Sequence, residues 1–361
     1  MGVFITQTGS FLPGQPIDND HMHRFIGEVP GEQEIKQQVL KMNGIRQRYY
    51  ALMEDQSPTY DVYELACEAV RNCVGPSRQD NPIGYLSAGS THTPYSGPGI
   101  SSILHGMLAE EGLLNSAAEV NSNSGICTSS ATALQNAYRA IKSGDHQSAV
   151  CIGAERPSEV LKSSAFRGKY NTDDVAGDIR QSEWFMSAFL RFMLSDGAGA
   201  ALLEDCPADN GRSFEINWAF ARSFAHIAPL CMTMDNRRML LSQNVDILSR
   251  HLFDCSREFV GMAMKHFGDS FDSYTTVLPH LSSFFFQRRM ERIMKEFLTR
   301  HTDNVPYWTN LATVGNTGAA SIFVMLDEYA RTQPYSPGDR ILLFIPESGQ
   351  FNFVLISLTV H

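Results

Sequence analysis

Two stretches of small residues constrain this chain more than any other feature. One is Gly125-Ile126-Cys127-Thr128-Ser129-Ser130-Ala131-Thr132-Ala133, and the other is Gly315-Asn316-Thr317-Gly318-Ala319-Ala320-Ser321. Each opens a segment of helical period, 131–141 and 310–329. Each helix is followed by an apolar strand, 149–154 and 341–345. Helix starts built from Gly, Ser, Thr and Ala fit deep in a core, where backbones approach closely. The echo reads as a duplicated βα unit whose two special helix starts meet at a central interface. At 361 residues the chain is long enough for two such halves. The polar, turn-rich 206–212 is the best linker, giving halves of 1–205 and 206–361.

Cys127 falls at a strand-to-helix turn. Free N–H groups and the positive dipole end there favour a thiolate, although an inert buried cysteine is the commoner outcome. A cysteine nucleophile that works on thioesters needs a partner to handle charge and protons. His280 follows a short strand (275–278) and precedes a helix (282–297). Asn316 offers a side-chain N–H. A histidine and an asparagine converging on one carbonyl oxygen make a hole for an enolate or oxyanion. Taken singly, His280 reads as a core histidine and Asn316 as a helix cap; all three at element ends read as a site. Glu155 lies at the C-terminal end of strand 149–154, the end where α/β sheets bind ligands. It is either a second acid/base group or a structural carboxylate paired with Arg156.

The net charge of −10 argues against nucleic acid and anionic membrane as main partners. No run is apolar enough to span a bilayer. Met1-Gly2-Val3-Phe4-Ile5-Thr6 formally fits a myristoylation pattern, but a first strand is the better reading. Seven cysteines without framework or CxxC spacing read as reduced cytoplasmic thiols. His21 and His23 have no third ligand nearby, so no metal site is expected. Residues 158–192 are the least periodic and read as a lid or a dimer-facing arm. Arg46 and Arg48 follow a glycine turn, suited to a phosphate or to surface ion pairs. The helix after His280 has a basic face (Arg288, Arg289, Arg292, Lys295), either a docking patch for an acidic partner or a solvated face.

The Cys127 turn, Pro279-His280, 315–321 and Ser195-Asp196-Gly197-Ala198-Gly199-Ala200 resemble the ketoacyl synthase III branch of the thiolase superfamily. So do Thr8-Gly9-Ser10-Phe11-Leu12-Pro13 and Asn43-Gly44-Ile45-Arg46-Gln47-Arg48, all in the expected order. The resemblance implies an α/β thiolase fold, five layers (αβαβα) from two similar halves, and a homodimer. It implies acyl transfer to Cys127 from coenzyme A or an acyl carrier protein, with no further cofactor. His280 and Asn316 would then support carbanion formation and Claisen condensation, with the backbone N–H of Gly349 as oxyanion donor beside that of Cys127. The chain departs from the family at Leu281-Ser282-Ser283, where Gln-Ala-Asn is usual, and at Glu347-Ser348-Gly349-Gln350, a reduced glycine loop. These departures fit the family's specialised relatives of secondary metabolism. The Ser90–Gly99 loop and Ala154-Glu155-Arg156 resemble the ketosynthase/cyclases that join two β-ketoacyl chains into a cyclohexanedione, for which Glu155 is the candidate second acid/base group. The alternatives are a ketoacyl synthase III-type priming enzyme, an ester-forming acyltransferase and, less favoured, a non-catalytic partner subunit.

Overall fold

The computed structural model describes residues 2–75, 82–168, 182–209, 213–298 and 306–361. The first half opens with strand β1 (Phe4–Phe11) and helix α1 (Glu32–Asn43). Helix α2 (Val62–Val74) starts at a capping box, with Asp61 accepting from Tyr63 and Glu64 and the Glu64 side chain returning to Asp61. Then come β2 (Tyr85–Ser90), α3 (Ile100–Glu110), β3 (Glu119–Ser124), α4 (Ser129–Ser143), β4 (Ser148–Glu155), α5 (Glu183–Met193) and β5 (Gly197–Glu204). The second half contains β6 (Phe214–Ser223), a hairpin of β7 (Met232–Asp235) and β8 (Leu240–Gln243), and α6 (Val245–Phe267). It continues through β9 (Thr276–Pro279), α7 (Gln287–Glu296), α8 (Ser321–Thr332), β10 (Arg340–Pro346) and β11 (Asn352–Val360).

Among the described residues, nine strands run in the order β9-β10-β11-β6-β1-β5-β4-β2-β3. The two halves of this sheet join through only two pairs, Phe4↔Glu215 and Ile5↔Phe214. Side chains alternate between faces, as a pleated strand requires. Ile341, Leu343 and Ile345 of β10 pack into the central core with α4 and α8, while Leu342 and Phe344 face an outer core with α6 and α7. On β4, Ala149 and Cys151 face the centre, and Val150, Ile152 and Ala154 face α2 and α3. The result is five layers, α2/α3, sheet, α4/α8, sheet, α6/α7, as expected.

The two small-residue helix starts do meet. The Ser130 hydroxyl donates to the Ala319 carbonyl. A Cβ on Gly89 would lie 2.4 Å from the Ser129 carbonyl carbon, and one on Gly153 would lie 2.8 Å from the Ala319 oxygen. Only residues without bulk permit this approach.

Several local expectations are corrected. The helix over 310–329 is interrupted: a short turn (Leu311–Val314) ends at Gly315 with φ +78°, and α8 begins only at Ser321. A Cβ at 315 would sit 2.9 Å from that of Ser195. The segment 158–192 contains α5, whose residues from Trp184 to Met193 are all buried, so that part is core rather than lid or arm; 169–181 lie outside the described residues. The β7–β8 hairpin had no counterpart in the sequence reading.

Candidate active site

Cys127 sits between the end of β3 and the start of α4 and is 8% exposed. The Ser129 N–H and hydroxyl both donate to the Ile126 carbonyl, at 3.3 and 3.0 Å, which closes the turn. The next donor along, the Thr128 N–H, is taken at 3.0 Å by the Glu347 carboxylate. The expectation of a stabilised thiolate is therefore corrected. Burial pushes the Cys127 thiol well above its ordinary value, and Glu347 and Glu155 push it further in the same direction.

Asn316 is held by its backbone. Its N–H donates to the Met193 carbonyl (3.2 Å), and its carbonyl accepts from Ser195 (2.9 Å). Its Oδ1 accepts from the Gly318 N–H at 2.9 Å, leaving the Nδ2 donors without a partner among the described residues. His280 follows β9, and its N–H donates to the Phe344 carbonyl of β10 at 2.8 Å. It is 5% exposed, and its Nε2 is buried without a partner among the described residues. Burial alone lowers its pKa to about 4, so the imidazole is neutral at pH 7.

Glu155 ends β4 and is 5% exposed. It does not pair with Arg156, which bonds Glu159 (2.7 Å) and the Tyr60 carbonyl (3.2 Å) instead. Its Oε1 accepts from the Thr91 N–H (3.0 Å), the Thr91 hydroxyl (2.6 Å) and the Ala319 N–H (3.2 Å). Oε2 takes no hydrogen bond among the described residues. Burial raises this carboxyl to about 7, against the three hydrogen bonds.

A pocket open to solvent is lined by Cys127, Glu155 and Asn316 together. Thr91, Arg156 and Ser348 complete its polar end. His92, Gln243 and Ser282 also line it, and the remaining wall is mostly apolar: Ile126, Val160, Phe189, Met193, Leu194, Met232, Met234, Leu241 and Phe286. His280 is not itself on this wall, though Ser282 is. Gly349 packs behind the nucleophile, where an added Cβ would lie 2.8 Å from Ile126.

Of the basic residues, Arg48 does not serve as a phosphate contact. It is fully buried, with its guanidinium donating to the Phe192 carbonyl (3.0 and 2.7 Å) and to Asn19 (2.6 Å). Arg46 is exposed. Arg288, Arg289, Arg292 and Lys295 are exposed on α7, with Arg289 stacked over Phe253 at 4.8 Å. Among the described residues no cluster of metal-ligating side chains occurs, and no helix is long and apolar enough to cross a membrane.

Sequence reasoning assigned no role to Thr91 or Glu347. Nothing local marks either one, since their partners lie 64 and 219 residues away. It also gave no account of the apolar wall, a third of which (Met232, Met234 and Leu241) comes from the β7–β8 hairpin.

Residues 60–207 match the β-ketoacyl synthase N-terminal domain, and residues 276–346 match the C-terminal domain of 3-oxoacyl-[acyl-carrier-protein] synthase III. Together they span more than half of the chain. This chain is a ketoacyl synthase III-like member of the thiolase superfamily. That makes it a condensing enzyme of the acyltransferase class. The β-ketoacyl-[acyl-carrier-protein] synthase III of Acholeplasma laidlawii is 22% identical over 337 residues, covering 91% of this chain and 90% of that one. Among solved structures, AbyA1, a tetronic acid condensing enzyme, superposes with a TM-score of 0.76 at 18% identity, covering 99% and 100% of the two chains. An OleA variant from Xanthomonas campestris with bound lauric acid and lauroyl-CoA gives 0.75 at 15% identity, with 99% of each chain covered. In this ketoacyl synthase III-like chain, the site just described lies at the junction of the two matched domains.

Proposed function

We propose that this enzyme takes an acyl group from a thioester onto Cys127, joins it to a second β-ketoacyl or acyl unit, and closes the product to a cyclohexanedione. The observation that carries this reading is Glu155: a carboxyl with an ordinary value near 4.5 raised to about 7, in the same cavity as Cys127, with one oxygen free and no cation paired to it among the described residues. A general base works best with a pKa near the working pH.

In the first step the Cys127 sulfur bonds to the thioester carbonyl carbon. The bond from that carbon to the leaving sulfur breaks, and the Cys127 proton passes to the leaving thiol. The Asn316 Nδ2 donates to the carbonyl oxygen as it becomes negative, with neutral His280 in the role of second donor that the family resemblance implies. In the second step Glu155 takes a proton from the carbon next to the second thioester's carbonyl. That carbon bonds to the acyl carbon on Cys127, and the sulfur of Cys127 leaves and is reprotonated. Forming a ring requires one more carbon–carbon bond, by conjugate addition of an enolate to an α,β-unsaturated acyl unit. Glu155, having returned its first proton to the Cys127 sulfur, takes the proton that generates that enolate and gives it back to the α-carbon of the adduct. The apolar wall suits the alkyl part of an acyl chain. The thioester donors are acyl-CoA or acyl carrier protein, whose acidic surface matches the exposed cations of α7 and Arg46. The edge strand β3, with no strand on its outer side among the described residues, supports assembly as a homodimer.

A ketoacyl synthase III-type priming reaction uses the same cysteine, and both matched domains favour it equally. Mass spectrometry of products and protein separates the readings. Incubation with a β-ketoacyl thioester and an α,β-unsaturated acyl thioester should give an adduct on Cys127 and a cyclic diketone. An adduct with only a linear ketone or pyrone would keep the condensing enzyme and remove the cyclisation.

A further inference from the structure

The loop that follows β10 carries a carboxylate unlike any other near the site. Glu347 is 2% exposed, and among the described residues it makes no ion pair. Its Oε2 accepts from both the N–H and the hydroxyl of Thr128, at 3.0 and 2.5 Å. Its Oε1 accepts from Asn352 Nδ2 at 2.9 Å, and its own N–H donates to the Asn352 carbonyl at 2.9 Å, so the loop closes on itself. Thr128 is the residue after the nucleophile and the cap of α4, and its side chain makes no capping bond to that helix. The cap is supplied instead from 219 residues away.

Position and charge here have opposite consequences. As a cap, the carboxylate satisfies a helix-start donor and fixes the turn that presents Cys127. As a charge, it fills the place at which a helix start would favour a thiolate. The ionisable groups on the elements around Cys127 are Glu347 after β10, Glu155 at the end of β4 and neutral His280 after β9, with Arg156 and His92 farther along the cavity wall. Arg156 is already paired with Glu159. No group in this set brings a free positive charge up to the sulfur.

We propose that Glu347 is a positioning residue for the nucleophile: it caps α4 through Thr128 and sets a negative charge behind Cys127, so the resting enzyme holds a thiol, not a thiolate. The proton then leaves the sulfur in step with attack on the acyl carbon and is taken up by the departing thiol. A resting site of this kind resists stray electrophiles and oxidants while remaining open to a bound thioester. The same loop reaches the acyl wall, because Gly349 accepts from Cys231 and Met232, and Gln243 Nε2 donates to Ser348 at 2.9 Å. Filling the cavity is thereby linked to the segment that holds the nucleophile. The inference rests on Cys127 being the acyl acceptor.

The test is the pH profile of Cys127 alkylation by iodoacetamide, resolved by peptide mass spectrometry in the intact enzyme, and it needs no condensation. The wild type should react slowly at pH 7.5 and show its inflection above pH 9. In Glu347→Gln the inflection should move down by at least one pH unit, a rise of about tenfold in rate at pH 7.5. In Thr128→Val, which keeps the carboxylate, the inflection should stay high. A wild-type inflection below pH 8 overturns the proposal even if Glu347→Gln does not fold, and so does a folded Glu347→Gln with an unmoved profile. Loss of acyl transfer to Cys127 from thioesters, with alkylation behaving as expected, would sink the proposed condensation and with it the positioning of a nucleophile, leaving only the effect of Glu347 on the charge of Cys127.

Discussion

Thr91 holds Glu155 by a single oxygen. Its N–H and its hydroxyl both donate to Oε1, at 3.0 and 2.6 Å, and the Ala319 N–H joins them at 3.2 Å. Three donors on one oxygen aim the other at the cavity. Replacing Thr91 with Val removes one of the three and should loosen the carboxyl without emptying the site. We expect Thr91→Val to reduce the rate of carbon–carbon bond formation by about tenfold, in keeping with one hydrogen bond to a charged group. Acyl transfer to Cys127, followed by single-turnover mass spectrometry, should be little changed. An equal loss in both steps would show that Thr91 only holds the fold.

The pH dependence follows from the same carboxyl. With a folded value near 7, Glu155 is mostly protonated below pH 6 and ionised above pH 8. The condensation step should rise with pH through about 7 and level off. Stability runs the other way. A pKa raised in the folded state gives stability that is complete below the unfolded value near 4.5 and is lost as pH rises through the folded value. Asp196, buried and raised to about 6, adds to the same trend. Glu155→Gln should therefore melt higher than the wild type at pH 8, with the difference gone at pH 4. A melting series across that range checks it, and a difference that grew towards acid would contradict it.

Asn316 should matter through its side chain alone. Its backbone bonds to Met193 and Ser195 survive substitution, so Asn316→Ala should fold. Loss of one oxyanion donor should slow turnover by about 100- to 1,000-fold. Steady-state kinetics with an acyl-CoA donor would measure it. A loss under fivefold would remove Asn316 from the oxyanion hole.

Arg46 and Arg48 are two residues apart and should behave as opposites. Arg48→Ala opens a space in the core and removes two of the three donors to the Phe192 carbonyl, leaving Asn43, at a cost of about 2–4 kcal/mol. Arg46→Ala should change stability by less than about 0.5 kcal/mol. Denaturant titration of both variants would show this. If Arg46 contributes to donor docking, its substitution should raise the KM for the thioester and leave kcat alone.

The contrast between these arginines shows where the sequence was legible. The architecture could be read because it rests on period and residue size. The apolar strands alternate between cores, and the small residues at 125–133 and 315–321 have no use except close approach. Cys127, Asn316 and Glu155 could be singled out because each ends or opens such an element. The charge state of Cys127 could not, since it depends on Glu347, whose contact spans 219 residues. Arg48 misled because a cation after a glycine turn looks exposed, and burial is decided by which segment covers it. The β7–β8 hairpin escaped because four-residue strands leave too short an alternation to recognise.

The central claim is that Cys127 carries the acyl group and Glu155 removes the carbon-bound proton. The most direct measurement follows both events in Glu155→Gln: acyl-Cys127 by intact-protein mass spectrometry, and condensed product in the same quenched samples. The account predicts full acylation of Cys127, with product formation reduced by about 100- to 10,000-fold. Product at the wild-type rate, or an acyl group that never reaches Cys127, would contradict it.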